Sequence, residues 1–282
     1  MKINSVLITT KKKSSEAFER SLEIKAWLED QGVDVLHSDG YVEHSCWKPD
    51  VPYPDLIIIL GGDGTILSQA RKLLDLDIPL LGVNLGKVGF MAEISLHSWK
   101  DQLASLISQG MSVSKRVVLG YELVKDDRVV EQGCAINEVV INRGELARLI
   151  TVNLELPGSV MQRIRADGII VATPTGSTAY SVSAGGPLVH PDLEAMIITC
   201  ICPFLSDFKP LVLPSTQTVT AWIGPGETDA FLTVDGQSGF RLTPGDRVRI
   251  FRHPRDFKVL FSPNHSFASK LVAKCFLKGV DN

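Results

Sequence analysis

The sequence predicts two domains: an α/β N-terminal domain with a parallel sheet, then a mainly β domain built as a two-layer antiparallel sandwich. Over residues 1–111, apolar runs of strand length alternate with stretches whose apolar residues recur at helical spacing. Over 112–263 the period falls to two and the runs shorten, the pattern of half-buried antiparallel strands. A final stretch, 264–282, returns to helical spacing and is expected to pack back on the first domain.

Taken in order, 5–9 reads as a buried strand, and Lys11, Lys12 and Lys13 follow in a loop that is either solvated or a holder of phosphates. A helix over 15–31 is expected to face the core with Phe18, Leu22, Ile24 and Leu28 and to end at Gly32. A second strand begins at 33–36, and 39–54 looks irregular. Leu56, Ile57, Ile58, Ile59 and Leu60 form a strand buried on both faces. Ile66, Leu67, Ala70, Leu73 and Leu74 mark the next helix, and 79–83 the next strand. Trp99, Leu103, Leu106 and Ile107 give a further helix, with Ser98 and Asp101 at capping-box spacing and Gly110 past its end. This alternation makes the first domain Rossmann-like. Alternating runs at 117–123, 218–223, 230–234, 247–251 and 257–261 are assigned to the β domain, with a turn at 125–128. Phe267, Leu271 and Cys275, four apart, make the stripe of the terminal helix.

The chain is organised around its strand-to-helix turn, Gly61, Gly62, Asp63, Gly64, Thr65. There backbone N–H groups point outward and the helix dipole favours an anion, so the turn is a place for phosphate. Glycines let a ligand approach the main chain, and Asp63 sets one carboxylate among those donors. Asp63 reads either as a cap of the turn or as the acid of a phosphoryl-transfer site aimed at a hydroxyl. No Gly-Lys-[Ser/Thr] follows, which excludes a Walker loop. Leu67 stands where a dinucleotide fingerprint needs its third glycine.

Three clusters interrupt the β region. Asn137 and Glu138 break an apolar strand, as a pair suited to a base edge and ribose hydroxyls or as a satisfied strand end. Arg165, Asp167 and Gly168 lead through an apolar strand into the small-residue stretch 173–187. A helix is expected there from about Ser177, ended by Gly185, Gly186 and Pro187. Tyr180, an aromatic among small residues, suits stacking on a flat ring, and the alternative is a tight packing helix. Asp235, Gly236 and Gln237 alone read as a hairpin turn.

With 44% hydrophobic and 22% charged residues, the chain has the composition of a globular protein with a real core. A net charge of −3 gives no electrostatic reason to expect nucleic acid or an anionic membrane as partner. The first residues lack the apolar length of a signal peptide, and the longest later apolar tract is broken by Pro203. Five cysteines without a C-x-x-C pair argue against a disulfide framework or a zinc site and for a reducing, cytoplasmic location.

Together, GGDGT at 61–65, Asn137-Glu138, Arg165-Ala166-Asp167-Gly168 with 173–187, and Asp235-Gly236-Gln237 resemble the NAD kinase family in order and approximate spacing. The likeness implies ATP-dependent phosphorylation of the 2′-hydroxyl of the NAD adenosine ribose, giving NADP. ATP would be the donor and would carry a divalent cation, magnesium, with no dedicated protein metal site. By that resemblance Asp63 is the general base, with Gly61, Gly62, Gly64 and Thr65 beside the substrates. Asn137 and Glu138 hold adenine and ribose. Thr178, Ala179, Tyr180, Ser181, Val182 and Ser183 line the adenosine and nicotinamide pockets. Asp167 meets the nicotinamide amide, Arg165 and Arg148 are basic contacts, Arg165 for pyrophosphate, and Gln237 lies on the adenine side. The second glycine loop, 84–91, resembles the family's with Val88 in place of leucine, which brings Phe90 to the edge of the adenine pocket. The family likeness also implies a homodimer or homotetramer. The rival readings are a non-catalytic NAD(P)(H) sensor and a lipid or small-alcohol kinase sharing the GGDGT turn.

Overall fold

In the computed structural model Leu56–Leu60 is a strand whose five side chains are all buried. It is flanked in parallel by Ser5–Thr10 and Leu80–Asn84. Described are residues 3–40, 42, 52–86, 89–109, 112–144, 148–205, 207–226, 230–261 and 266–278. Most of the irregular stretch expected at 39–54, and Lys87, Val88 and Gly110, lie outside them. The chain divides into two units, Met1–Lys115 with Phe257–Asn282, and Arg116–Asp256.

The first unit is an α/β layer structure. Its sheet runs in the order Asp34–Ser38, Ser5–Thr10, Leu56–Leu60, Leu80–Asn84, Phe257–Phe261, Ser112–Arg116, with Ala92–Ser95 also paired to Leu80–Asn84. The strand Phe257–Phe261, expected in the β domain from its alternation, instead pairs in parallel with Leu80–Asn84, and Leu260 joins the first unit's core. Periodicity reports the kind of strand and not the sheet that receives it. The first unit therefore closes at 115 and resumes at 257, rather than at the expected 111 and 264.

Helix Ser15–Asp30 is capped by Ser14, whose Oγ accepts from the Ala17 N–H at 3.3 Å. It buries Ala17, Ser21, Ile24 and Leu28, so Leu22, expected in the core, is exposed and its neighbour Ser21 is inside. The buried row steps by four, three and four residues, and the Ser21 hydroxyl is satisfied at 2.7 Å from His37 Nε2. Helix Asp63–Leu73 buries Ile66, Leu67, Ala70 and Leu73, and helix Trp99–Gln109 turns Trp99, Leu103 and Leu106 inward. The terminal helix, Phe267–Ala273, lies in this unit as expected, but with a different stripe. Leu271 and the charged Lys270 are buried, while Cys275 lies beyond the helix and is exposed.

The second unit is a pair of six-stranded antiparallel sheets. One runs in the order Val160–Ala166, Ile150–Leu156, Val219–Ile223, Arg247–Arg252, Leu119–Lys125, Arg128–Ala135. The other runs Leu211–Pro214, Ala195–Ile201, Gly168–Ala172, Glu138–Arg143, Ala230–Val234, Ser238–Leu242. Alternate residues of both, among them Tyr121, Val152, Val139, Ile169, Val171 and Ile198, form one shared core. Gly168–Ala172 is buried along its whole length because its other face, Ile170 and Ala172, packs with Val140, Val189 and Ile197. The segment after it, 173–187, thus lies over the sheet, which is where the second sequence cluster falls.

Candidate active site

The turn at 61–65 is built as its glycines require. Gly61 donates its N–H to Val83 O at 3.0 Å and is buried, and a Cβ there would lie 2.7 Å from the Thr65 Cβ. Gly62 is the extended N-cap residue, and Thr65 and Ile66 return their N–H groups to its carbonyl at 2.9 and 3.2 Å. Asp63 is the first helical residue, so it does not cap the helix. Its Oδ2 accepts the Phe90 N–H at 2.8 Å and its Oδ1 the Met91 N–H at 3.1 Å. Gly89 makes this approach feasible, since a Cβ there would stand 1.9 Å from Asp63 Oδ1. Gly62 and Gly64 are exposed, with open space where their Cβ atoms would be. The second glycine loop therefore acts first on the carboxylate: its amides fix both oxygens, and each retains a lone pair for a further donor. The Phe90 ring is half-buried and meets Phe276, ring centroids 5.9 Å apart.

In the second unit, Asn137 and Glu138 are held by a residue that the sequence marked only as a turn. Asp235 occupies a hairpin with φ of 51°, followed by Gly236 at 63°. Its carboxylate accepts the N–H groups of Ile136, Asn137 and Glu138 at 3.0, 2.8 and 3.0 Å. Thr173 closes the other side, donating its N–H to Asn137 O at 2.8 Å and its hydroxyl to Ile136 O at 2.6 Å. Gly176 packs directly on the Asn137 peptide. The small-residue helix expected from Ser177 is two pieces, a 3-10 turn Thr175–Thr178 and one α turn Tyr180–Ser183, interrupted at Ala179. Thr178, Ala179 and Val182 are half-buried, and Tyr180 and Ser183 exposed. Ser181 is buried and its hydroxyl lies 3.1 Å from that of Thr199.

Glu138 is the electrostatic outlier. It is buried, its Oε2 has no hydrogen-bond partner, and burial followed by the nearby Asp235 charge pushes its carboxyl up to about 8. The Tyr180 N–H opposes that shift by bonding the carboxylate, which ties the Tyr180 turn to Glu138. Asn137, Glu138, Tyr180 and Asp235 are thus one cluster.

The basic residues lie on other elements. Arg165 is exposed on Val160–Ala166 with its guanidinium 5.7 Å from the Phe204 ring centroid. Asp167, between two strands, accepts the Arg143 Nε–H at 2.6 Å. Arg148 is exposed just before Ile150–Leu156, and Gln237 is exposed in the hairpin. Sequence reasoning missed Asp235 as a scaffold, Thr173, Gly89, Met91 and the pair of Glu93 with Lys270. Asp235 had a local signal in its Asp-Gly turn, and Thr173, Gly89 and Met91 lay in the marked stretches 173–187 and 84–91 without a role assigned; Glu93 and Lys270 had none. Cys134, Cys200, Cys202 and Cys275 are free thiols, and burial pushes the Cys200 thiol up to about 12. No helix among the described residues is long and apolar enough to cross a membrane.

An acid fixed at a glycine-bordered helix start, in an α/β unit joined to an antiparallel sandwich, defines a two-unit kinase of the GGDG class. Comparison with known proteins names it more closely. The ATP-NAD kinase N-terminal domain model matches residues 53–111 and the C-terminal domain model residues 136–261. An NAD kinase of Nitratidesulfovibrio vulgaris (strain DSM 19637 / Miyazaki F) is 42% identical over 98% of both chains. An NAD kinase of Oleidesulfovibrio alaskensis is 39% identical, over 98% of this chain and 94% of its own. Among solved structures, yeast NADH kinase complexed with NADH aligns with a TM-score of 0.85 at 26% identity, covering 100% of this chain and 90% of that one. An NAD kinase from Archaeoglobus fulgidus in complex with ATP aligns at 0.71 and 27%, covering 93% and 94%. The chain belongs to the NAD kinase family.

Proposed function

We propose that this chain transfers the γ-phosphoryl group of ATP to the 2′-hydroxyl of the adenosine ribose of NAD, giving NADP. The observation that carries the reading is the Asp63 carboxylate, held through both oxygens by the Phe90 and Met91 amides between two exposed glycines. Phosphoryl transfer leaves a protein little covalent work, so alignment of hydroxyl and phosphate supplies most of the rate. Asp63 orients the hydroxyl and takes its proton late, while the exposed Gly62 and Gly64 at the helix start let the phosphates approach the main chain. ATP enters as its magnesium complex, a substrate whose cation keeps much of its own water and neutralises charge on the transferring group. Asn137 and Glu138 hold the adenosine, with Tyr180 stacked on a ring and Thr178, Ala179, Ser181, Val182 and Ser183 shaping the recess. Asp167, Arg165 and Arg148 contact the rest of the dinucleotide, and Gln237 lies on the adenine side. The working form is a cytoplasmic homodimer or homotetramer.

The deciding experiment is incubation with NAD, ATP and magnesium, with diacylglycerol and sphingosine as competing acceptors. NADP is the expected product. Dinucleotide binding without turnover would make the protein a sensor, and lipid phosphorylation would move it to the neighbouring kinases.

Two finer results are expected. Tyr180→Ala raises the KM for NAD much more than that for ATP, and equal shifts in steady-state kinetics would remove the stacking role. Glu138 gives a pH signature. Because its folded pKa of about 8 exceeds the ordinary 4.5, its favourable contribution is full below 4.5 and is lost as pH rises through about 8. Glu138→Gln should therefore match the parent in thermal stability near pH 5, gain on it up to about pH 8 and hold that lead towards pH 9. A difference in melting temperature that is flat with pH would contradict this assignment.

A further inference from the structure

We propose that Lys270, on the terminal helix, is a positioning residue for phosphoryl transfer, fixing through the Phe90 carbonyl the peptide plane whose N–H holds Asp63. The inference rests on the reading of Asp63 given above. Lysine is among the residues least often buried, yet Lys270 is 8% exposed and its partner Glu93 2%. Its ammonium donates to Glu93 Oε1 and, at 3.1 Å, to the Phe90 carbonyl. That carbonyl and the Met91 N–H are two ends of one planar peptide group, and the Met91 N–H donates to Asp63 Oδ1 at 3.1 Å. A cation stands at one end of this peptide and the candidate base at the other. The ammonium polarises the peptide and strengthens its N–H as a donor, and planarity transmits the orientation. The preceding peptide supplies the Phe90 N–H to Asp63 Oδ2, so the two amides that fix the carboxylate are adjacent. Glu93, on Ala92–Ser95, compensates the buried charge and keeps the ammonium from swinging away.

A cavity of about 360 Å³, lined by Glu93, Ser98, Gln102, Ser269 and Lys270, lies beside the pair and makes the test direct. Lys270→Met keeps the side-chain volume and removes the charge. It is expected to lower kcat at least tenfold with the KM values for NAD and ATP within threefold, since a misplacement of a reacting group by about 1 Å can cost about 100-fold. In Lys270→Ala, added n-butylammonium should enter the cavity and restore kcat saturably, whereas tetramethylammonium at equal ionic strength should not. Unchanged kcat in Lys270→Met, or a loss that no amine restores, overturns the proposal. Asp63→Asn run in parallel separates the two claims. If that variant is active, the reading of Asp63 fails; if it is inactive while Lys270→Met turns over normally, only the role of Lys270 fails.

Discussion

Asp63→Asn is expected to lower turnover at least about 100-fold while NAD still binds, the scale on which a positioned acid or base contributes. The structure sharpens what this variant tests. Both carboxylate oxygens accept a backbone N–H, from Phe90 at 2.8 Å and Met91 at 3.1 Å. Asparagine offers one oxygen and one amino group, so whichever way it turns, a donor faces a donor. The variant therefore loses both the proton acceptor and one loop contact, an unmet pairing on the order of 1–3 kcal/mol. Calorimetric NAD titration with single-turnover kinetics keeps the effects apart. Near-parental turnover would remove Asp63 from the chemistry.

Gly176→Ala is expected to raise the KM for NAD at least tenfold and to lower the melting temperature. A Cβ at this position would stand 2.2 Å from Asn137 O, 2.6 Å from its carbonyl carbon and 2.7 Å from its Cα. These are backbone atoms and cannot rotate aside. Nor is the Asn137 peptide free to retreat, because its N–H is bonded to Asp235 and its carbonyl to the Thr173 N–H. Either the Thr175–Thr178 turn lifts, taking Tyr180 with it, or Asn137 and Glu138 shift from the Asp235 cradle. Overpacking of this kind costs about 1–3 kcal/mol. Unaltered NAD kinetics would mean that the cluster does not form the adenosine site.

The parts of the fold legible in the sequence were those whose signal is local. Leu56–Leu60 announced itself as an unbroken apolar run stopped by glycines, and Asn137 with Glu138 as polar residues in a strand whose next three side chains are buried. What sequence could not supply was pairing across distance. Phe257–Phe261 alternates like its neighbours and gives no sign that its partner is Leu80–Asn84. Asp235 looks complete as a hairpin residue, yet three N–H groups 97 to 99 positions earlier converge on it. Leu22 and Ser21 show the opposite error, where hydrophobicity suggested the core and one step of helical phase decided against it. Lys270 was invisible because a lysine on a short helix is ordinarily solvated, and only Phe90 and Glu93, some 180 residues upstream, make its burial reasonable.

The return of Phe257–Phe261 to the first unit's sheet bears on the order of synthesis. That strand separates Leu80–Asn84 from Ser112–Arg116 in the sheet. A nascent chain that has reached Asp256 already holds every residue of the sandwich, which is contiguous in sequence. The unit that began first is still missing an interior member, and Ser112–Arg116 has yet to meet its neighbour in the sheet. The first unit's sheet thus cannot close until the whole sandwich has been synthesised.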